Sequence, residues 1–254
     1  MNINMQKKNL ALISTRPMEC DDNYKKSLSN FGISLIEMPL TKISPLKDYG
    51  KFDKIISNID EFNHIIFIST NAVKFFLKRL NKNEVILPKN IELSCIGPTT
   101  KSMLEKEFNL PIYFPKEVYD SKHLLQHEIF NNIANKNILI IRGEGGRETL
   151  KDGLKLKKAN IIYGECYLRE YLSLNLKRIN EYAQKYDQLF LLITSLESAK
   201  KFMNHDIKKN FSWLNSINFI VNHKKIMEEL RLFSNVTSAK DISLLFYLWN
   251  LMKY

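Results

Sequence analysis

At 254 residues, with 44% hydrophobic and 26% charged side chains, the chain has material for a real core and exceeds the usual size of one domain, so two are expected. Its formal charge of +11 favours acidic partners, but the basic residues are scattered in short pairs such as Lys157-Lys158 and Lys208-Lys209, without the stripe or stacking platform of a nucleic-acid binder. No apolar run approaches the ~20 residues that span a bilayer, the polar stretch Met1–Asn9 lacks a signal-peptide core, and the three cysteines (Cys20, Cys95, Cys166) match no metal or redox spacing. A cytoplasmic protein with reduced core thiols is expected.

Strands are expected at Leu10–Ser14, Ile33–Met38, His64–Ile68, Ile91–Ile96, Asn137–Ile141, Ile161–Leu168, Gln188–Ile193 and Ile217–Val221. Between most of them run segments with helical spacing of apolar residues, such as Ala72-Val73-Phe75-Phe76-Leu80. Alternation of the two periods marks βαβ units on parallel sheets, hence an α/β fold. Ile66–Phe76 (IFISTNAVKFF) and Leu191–Phe202 (LLITSLESAKKF) resemble one another, as do Cys95–Leu104 and Phe219–Glu228. Asp120 and Asp241 each precede a Leu-rich helix that they would cap. Two similar parallel-sheet domains with a cleft between them follow. Pro39 and Pro45 bracket one crossing (39–44), and the overlong Ile161–Tyr171 holds the return (166–171). Residues 1–38 with 172–254 then form one discontinuous domain, and 45–165 the inserted one.

Small hydroxyl and glycine residues gather where strands end and helices begin: Ser14-Thr15, Ser69-Thr70, Gly97-Pro98-Thr99-Thr100, Gly143-Glu-Gly-Gly146 and Thr194-Ser195. Ligands of open parallel sheets bind at these edges, where free helix N–H groups attract anions. Each site alone is equally a cap or turn that any α/β protein needs; several facing one cleft point to carboxylate or phosphate. The loop Arg142–Arg147 has neither P-loop nor dinucleotide spacing. Arg147, placed in the first helical turn, either binds an acid or is solvated, and Arg16 follows the first strand where a ligand-facing side chain would sit. His123 and His127, spaced as neighbours on one helix, lack the glutamate of a zinc-protease motif and read as a solvated face. The C-terminal aromatics (Phe246, Tyr247, Trp249, Tyr254) read as core.

Taken together, ISTRP at 13–17, FISTNAV at 67–73, IGPTT at 96–100 and IRGEGGRETL at 141–150, followed by Tyr167 and Arg169, resemble the uroporphyrinogen-III synthase family. The resemblance covers nearly the whole chain. It implies a cofactor-free and metal-free lyase that cyclises hydroxymethylbilane, inverting the D ring and losing water through a spiro-pyrrolenine. Such a polycarboxylate suits several helix starts. The family's important tyrosine matches Tyr167, a phenol able to donate to the departing hydroxyl; without the family, it reads as a strand tyrosine with its ring in the core and its hydroxyl at the surface. Ser69 and Thr100 match the family's serine and threonine, Thr194 and Ser195 hold the equivalent place in the other half, and Arg16, Gly97, Thr99, Arg142, Gly143, Arg147 and Lys224 complete the expected substrate contacts. Asn222-His223-Lys224-Lys225 departs from the family's glycine-threonine turn and leaves the role of His223 and Lys224 open. The family implies a monomer, with transient contact to the preceding deaminase. The competing expectation is a non-catalytic paralogue that binds an anionic ligand.

Overall fold

The computed structural model describes residues 9–16, 22–204, 212–222, 224–233 and 235–238. In chain order the elements are β1 (Leu10–Ser14), α1 (Asp22–Asn30), β2 (Ile33–Glu37), β3 (Thr41–Pro45), α2 (Gly50–Ser57), β4 (His64–Phe67), α3 (Thr70–Lys82), β5 (Glu92–Cys95), α4 (Pro98–Glu107) and β6 (Ile112–Tyr113). There follow α5 (Ser121–Leu125), β7 (Asn137–Gly143), α6 (Thr149–Leu156), β8 (Asn160–Tyr171), α7 (Leu176–Lys185), β9 (Gln188–Ile193), α8 (Leu196–Asn204), β10 (Asn218–Val221), α9 (Lys224–Glu229) and β11 (Val236–Ser238). The α/β class is as the periodicity requires. β3, β6 and β11 were not expected: β3 lies in the stretch read as a crossing between prolines, and β6 and β11 are too short to show a period. Cys20, His223, Asp241 and the C-terminal aromatics lie outside the described residues.

Two compact units result, one from Met1–Lys42 with Glu170–Tyr254 and one from Ile43–Arg169. The first holds the sheet β11-β10-β9-β1-β2, the second the sheet β3-β8-β7-β4-β5-β6. Five strands follow the same spatial order in each: β2-β1-β9-β10-β11 in one and β8-β7-β4-β5-β6 in the other. Chain order is rotated between them, since the first unit draws two strands from the start of the chain and three from its end.

The central strands are buried on both faces, which is why they read as unbroken apolar runs. In β1, Leu10 and Leu12 pack with Leu28, Phe190 and Ile220 on one side. Ala11 and Ile13 pack with Leu191, Ile193 and Phe219 on the other. In the second unit, Ile65, Phe67, Leu139 and Ile141 share one core with Phe52 and Phe76. Ile66, Ile138 and Ile140 share the opposite core with Phe130 and Leu154. Among the described residues no helix is long and apolar enough to cross a membrane. Cys95 and Cys166 are free and buried. Burial pushes the Cys95 thiol up to about 12 and raises Cys166 as well.

One polar side chain sits deep in the second unit. His64, at the start of β4, is fully buried, stacked on Phe130 with ring centroids 4.9 Å apart. Its Nε2 is 2.8 Å from Ser94 Oγ and its Nδ1 3.4 Å from Glu92 Oε2. Burial lowers its pKa, outweighing Glu92, and Lys136 and His127 push the same way as burial. A base whose folded pKa lies below its unfolded value destabilises the fold as pH drops through that interval, because the unfolded chain binds the extra proton. The melting temperature is therefore expected to fall as pH is lowered from 6.5 toward about 5. His64→Gln should flatten that slope whatever its own melting temperature; an equally steep slope in the variant would assign the loss to other groups.

Candidate functional site

In the unit of residues 43–169, the ends of β4 and β5 open into α3 and α4. Ser69 leaves β4 in extended conformation and caps α3, its Oγ accepting the Ala72 N–H at 3.2 Å. Gly97 holds the same place before α4, with Pro98 at the first helical position and no side-chain cap. Neither helix has an acidic residue in its first turn. A Cβ on Gly97 would meet nothing within 4 Å, and no side chain caps the N–H groups at the start of α4. Thr99 is exposed, whereas the Thr100 side chain is 6% exposed and turned inward.

Tyr167 lies on β8 next to this edge and is 1% exposed. A slip in the pairing of β7 with β8 puts it there. Arg142 pairs with Glu165 but Gly143 with Tyr167, so β8 carries one extra residue. That bulge breaks the two-residue alternation, and the consecutive residues Cys166 and Tyr167 enter the same core. The ring stacks on Phe75, with centroids 5.5 Å apart and planes at 28°. Gly143 lies against the ring: a Cβ there would come within 2.4 Å of a ring carbon. The phenol oxygen is 3.1 Å from Ser69 Oγ and accepts from Arg169 Nη2 at 3.4 Å. The ring is thus in the core, and so is the hydroxyl, which has protein partners.

Arg142 faces inward. The residue is 3% exposed, with the guanidinium 4.4 Å over the Tyr163 ring. It is 3.3 Å from Glu148 and 4.0 Å from Glu165, and it donates to the carbonyls of Gly143 and Arg147. Tyr163 donates to Glu148 at 2.9 Å. Burial, then this bond, pushes the Tyr163 phenol up to about 12, and the same bond, with Lys151, holds Glu148 low. Gly145 and Gly146 take φ of +70° and +107°, and a Cβ on Gly146 would lie 2.6 Å from Arg142 Nη2. The glycine-rich loop therefore wraps its own arginine. Arg147 is exposed, but it precedes Glu148, the residue before α6, and so lies outside the first turn where sequence put it. The histidine pair also separates. α5 stops at Leu125, His123 pairs with its cap Asp120 at 2.7 Å, and His127 accepts from the Ile129 N–H.

The other unit has its own helix starts. Ser195 Oγ accepts the Ser198 N–H at 3.0 Å, as Ser69 does for α3, but Glu197 occupies the first turn of α8. Thr194 is half-buried and Ser195 exposed. Ser14 and Thr15 are buried; Thr15 Oγ1 donates to the Leu192 carbonyl at 2.7 Å, and the Arg16 N–H donates to Ser14 Oγ at 3.4 Å. Arg16 follows β1 half-buried, and Lys224 opens α9 exposed.

Against these features, the family model described as uroporphyrinogen-III synthase HemD matches residues 22–237. The chain belongs to the uroporphyrinogen-III synthase family. It is 29% identical over 160 residues to the uroporphyrinogen-III synthase of Escherichia coli, an alignment covering 63% of this chain and 65% of that protein. With the Proteus mirabilis enzyme it shares 25% identity over 163 residues, covering 64% and 82%. The chain thus aligns with just under two thirds of the E. coli relative's length. Among solved structures, a mutant uroporphyrinogen III synthase from Thermus thermophilus shares the fold with TM-score 0.66 at 11% identity, covering 96% of this chain and 98% of that one. The Helicobacter pylori protein gives 0.51 at 18% identity, covering 96% and 99%.

Phe75, Tyr163, Glu148 and Glu165 were missed by sequence reasoning. Phe75 was visible only as part of a helix pattern, and the two glutamates carry no spacing signal toward Arg142. The packing of Gly143 is open to test. Gly143→Ala must displace the Tyr167 ring, so urea unfolding is expected to show a loss of about 1–3 kcal/mol, the usual cost of overpacking. Gly97→Ala, in open space, should lie within ~0.5 kcal/mol of wild type. Equal losses for the two would show that the ring is not seated on Gly143.

Proposed function

We propose that this chain is a uroporphyrinogen-III synthase: it cyclises hydroxymethylbilane to uroporphyrinogen III, inverting the D ring and releasing water, as a lyase that uses no cofactor. What carries this beyond family membership is the Tyr167 phenol, held on Ser69 and Arg169 at a sheet edge beside the uncapped start of α4. The substrate bears an acetate and a propionate on each pyrrole. The helix start at Gly97–Thr100, which no side chain caps, and the exposed Arg147 suit such carboxylates. Thr194, Ser195, Arg16 and Lys224 offer matching groups in the other unit. Arg142 and Gly143 serve indirectly, the one by holding the loop and the other by admitting the tyrosine ring.

The step that needs help is departure of the hydroxyl, on whose oxygen negative charge develops. A hydrogen bond to a charged group is worth about 1.5–3 kcal/mol, or roughly tenfold to a hundredfold in rate. Tyr167→Phe removes the hydroxyl that links Ser69 and Arg169 at this edge; it is expected to slow isomer III formation by up to that factor without abolishing it, because holding the folded-back substrate supplies much of the acceleration. The family also suggests a cytoplasmic monomer that receives its substrate from the preceding deaminase.

The assay generates hydroxymethylbilane in situ with a deaminase, adds this protein, then oxidises and separates the uroporphyrin isomers. A shift from isomer I to isomer III is expected. Persistence of isomer I with folded protein would sink the synthase assignment and leave an anion-binding paralogue.

A further inference from the structure

We infer that Ser69 is the group that touches the departing hydroxyl and that Tyr167 works through it as a positioning residue; this deepens the proposed synthase activity and rests on it. Arginine only donates hydrogen bonds, so Arg169 Nη2 gives one to the Tyr167 oxygen at 3.4 Å. Tyr167 is 1% exposed, and its oxygen has Ser69 Oγ as a second partner at 3.1 Å. Two arrangements of the hydroxyl protons satisfy that distance. If Ser69 donated to Tyr167, the phenol O–H would be buried with no acceptor among the described residues, which protein interiors penalise. If Tyr167 donates to Ser69, every group is matched.

In that second arrangement Ser69 Oγ accepts twice, from the phenol and from the Ala72 N–H at 3.2 Å. Both lone pairs are filled, and its own O–H is left to donate outward. Ser69 is half-buried where Tyr167 is sealed. The chain runs Arg169 to Tyr167 to Ser69, with a cation at the end opposite the serine, and each hydrogen bond polarises the next. The outer hydroxyl is thereby a stronger donor than an isolated serine.

This suits an oxygen that gains charge as its bond to carbon breaks. The C–O electron pair leaves with the oxygen, the pyrrole forms an exocyclic double bond to the methylene carbon, and the pyrrole N–H proton, carried by solvent, completes the water. Ser69 keeps its proton throughout and supplies only the hydrogen bond.

Two measurements decide it. Ser69→Gly deletes the hydroxyl and keeps a good helix cap, while Ser69→Thr keeps both. Ser69→Gly and Tyr167→Phe should each lower kcat by about tenfold to a hundredfold with KM little changed. The double variant should be no slower than the slower single, and Ser69→Thr should restore the rate. Independently of activity, the carbon-13 resonance of the Tyr167 phenolic carbon, assigned by its loss in Tyr167→Phe, should shift in Ser69→Gly. Multiplying losses in the double variant, or an unmoved resonance, would overturn the chain of donors even in a fully active enzyme. A wild type that makes no isomer III removes the synthase assignment and this role with it, whatever the resonance shows.

Discussion

The structure depends on one constraint: its central strands are parallel and buried on both faces. A parallel strand must be followed by a crossover, here mostly a helix, that returns the chain over one face. The parallel strands of a sheet then end at one edge, and the helices that follow present unpaired N–H groups there. Where a strand runs almost directly into its helix, a small residue suits the junction. Ser69, Gly97 and Ser195 are the answers to that demand after β4, β5 and β9. Their first job is structural, since they start the helices that the topology requires. Ser69 serves at once as helix cap and as partner of Tyr167.

A second device aims the tyrosine. Without the extra residue in β8, strict alternation would put Tyr167 on the same face as Tyr163 and Glu165, beside Arg142. The slip between Arg142 and Gly143 turns it to the other face, where Phe75 and Ser69 receive it. Arg142 belongs to this device although it is turned away from the sheet edge. Its buried charge is matched by Glu148, Glu165 and the face of Tyr163, and two carbonyls of the loop accept its protons. Stripping those partners would leave an uncompensated buried charge. The loop is therefore held in the one course that keeps Gly143 flush against the Tyr167 ring.

Much of the fold was legible because buried parallel strands announce themselves: LALIS, HIIF and QLFLLI read as strands in sequence and in structure. β6 and β11 escaped because pairs and triplets of residues have no period to detect. At the site, sequence drew Tyr167, Ser69 and Gly143 into one list but not into one contact, since a bulge leaves no trace in the pattern of apolar residues. Arg142 misled for a physical reason. An arginine beside a glycine-rich loop suggests a ligand, and only the three-dimensional meeting with Glu148 and Glu165, 6 and 23 residues further along, shows that its charge is spent within the protein. Arg147, with no acidic partner among the described residues, is the more exposed of the two.

The rotated chain order of the two sheets explains where this machinery sits. Because the first unit takes strands from both ends of the sequence, the chain must leave it and return, and it does so within β3 and β8. β8 is consequently longer than its neighbours, and its residues answer to different surroundings in succession. Gly164 admits Ile141 and Phe52 into the core, and Cys166 and Tyr167 enter together at the bulge. Arg169 reaches back to the phenol, whereas Glu170 faces Lys42 at 3.9 Å and the Leu172 N–H pairs with the Leu40 carbonyl. A strand that carries the chain from one unit to the other cannot be shortened or shifted without moving both sets of contacts. Placing Tyr167 and Arg169 on it ties the phenol's hydrogen bonds to a strand held by both sets of contacts, where a loop would have left the hydroxyl's position to chance.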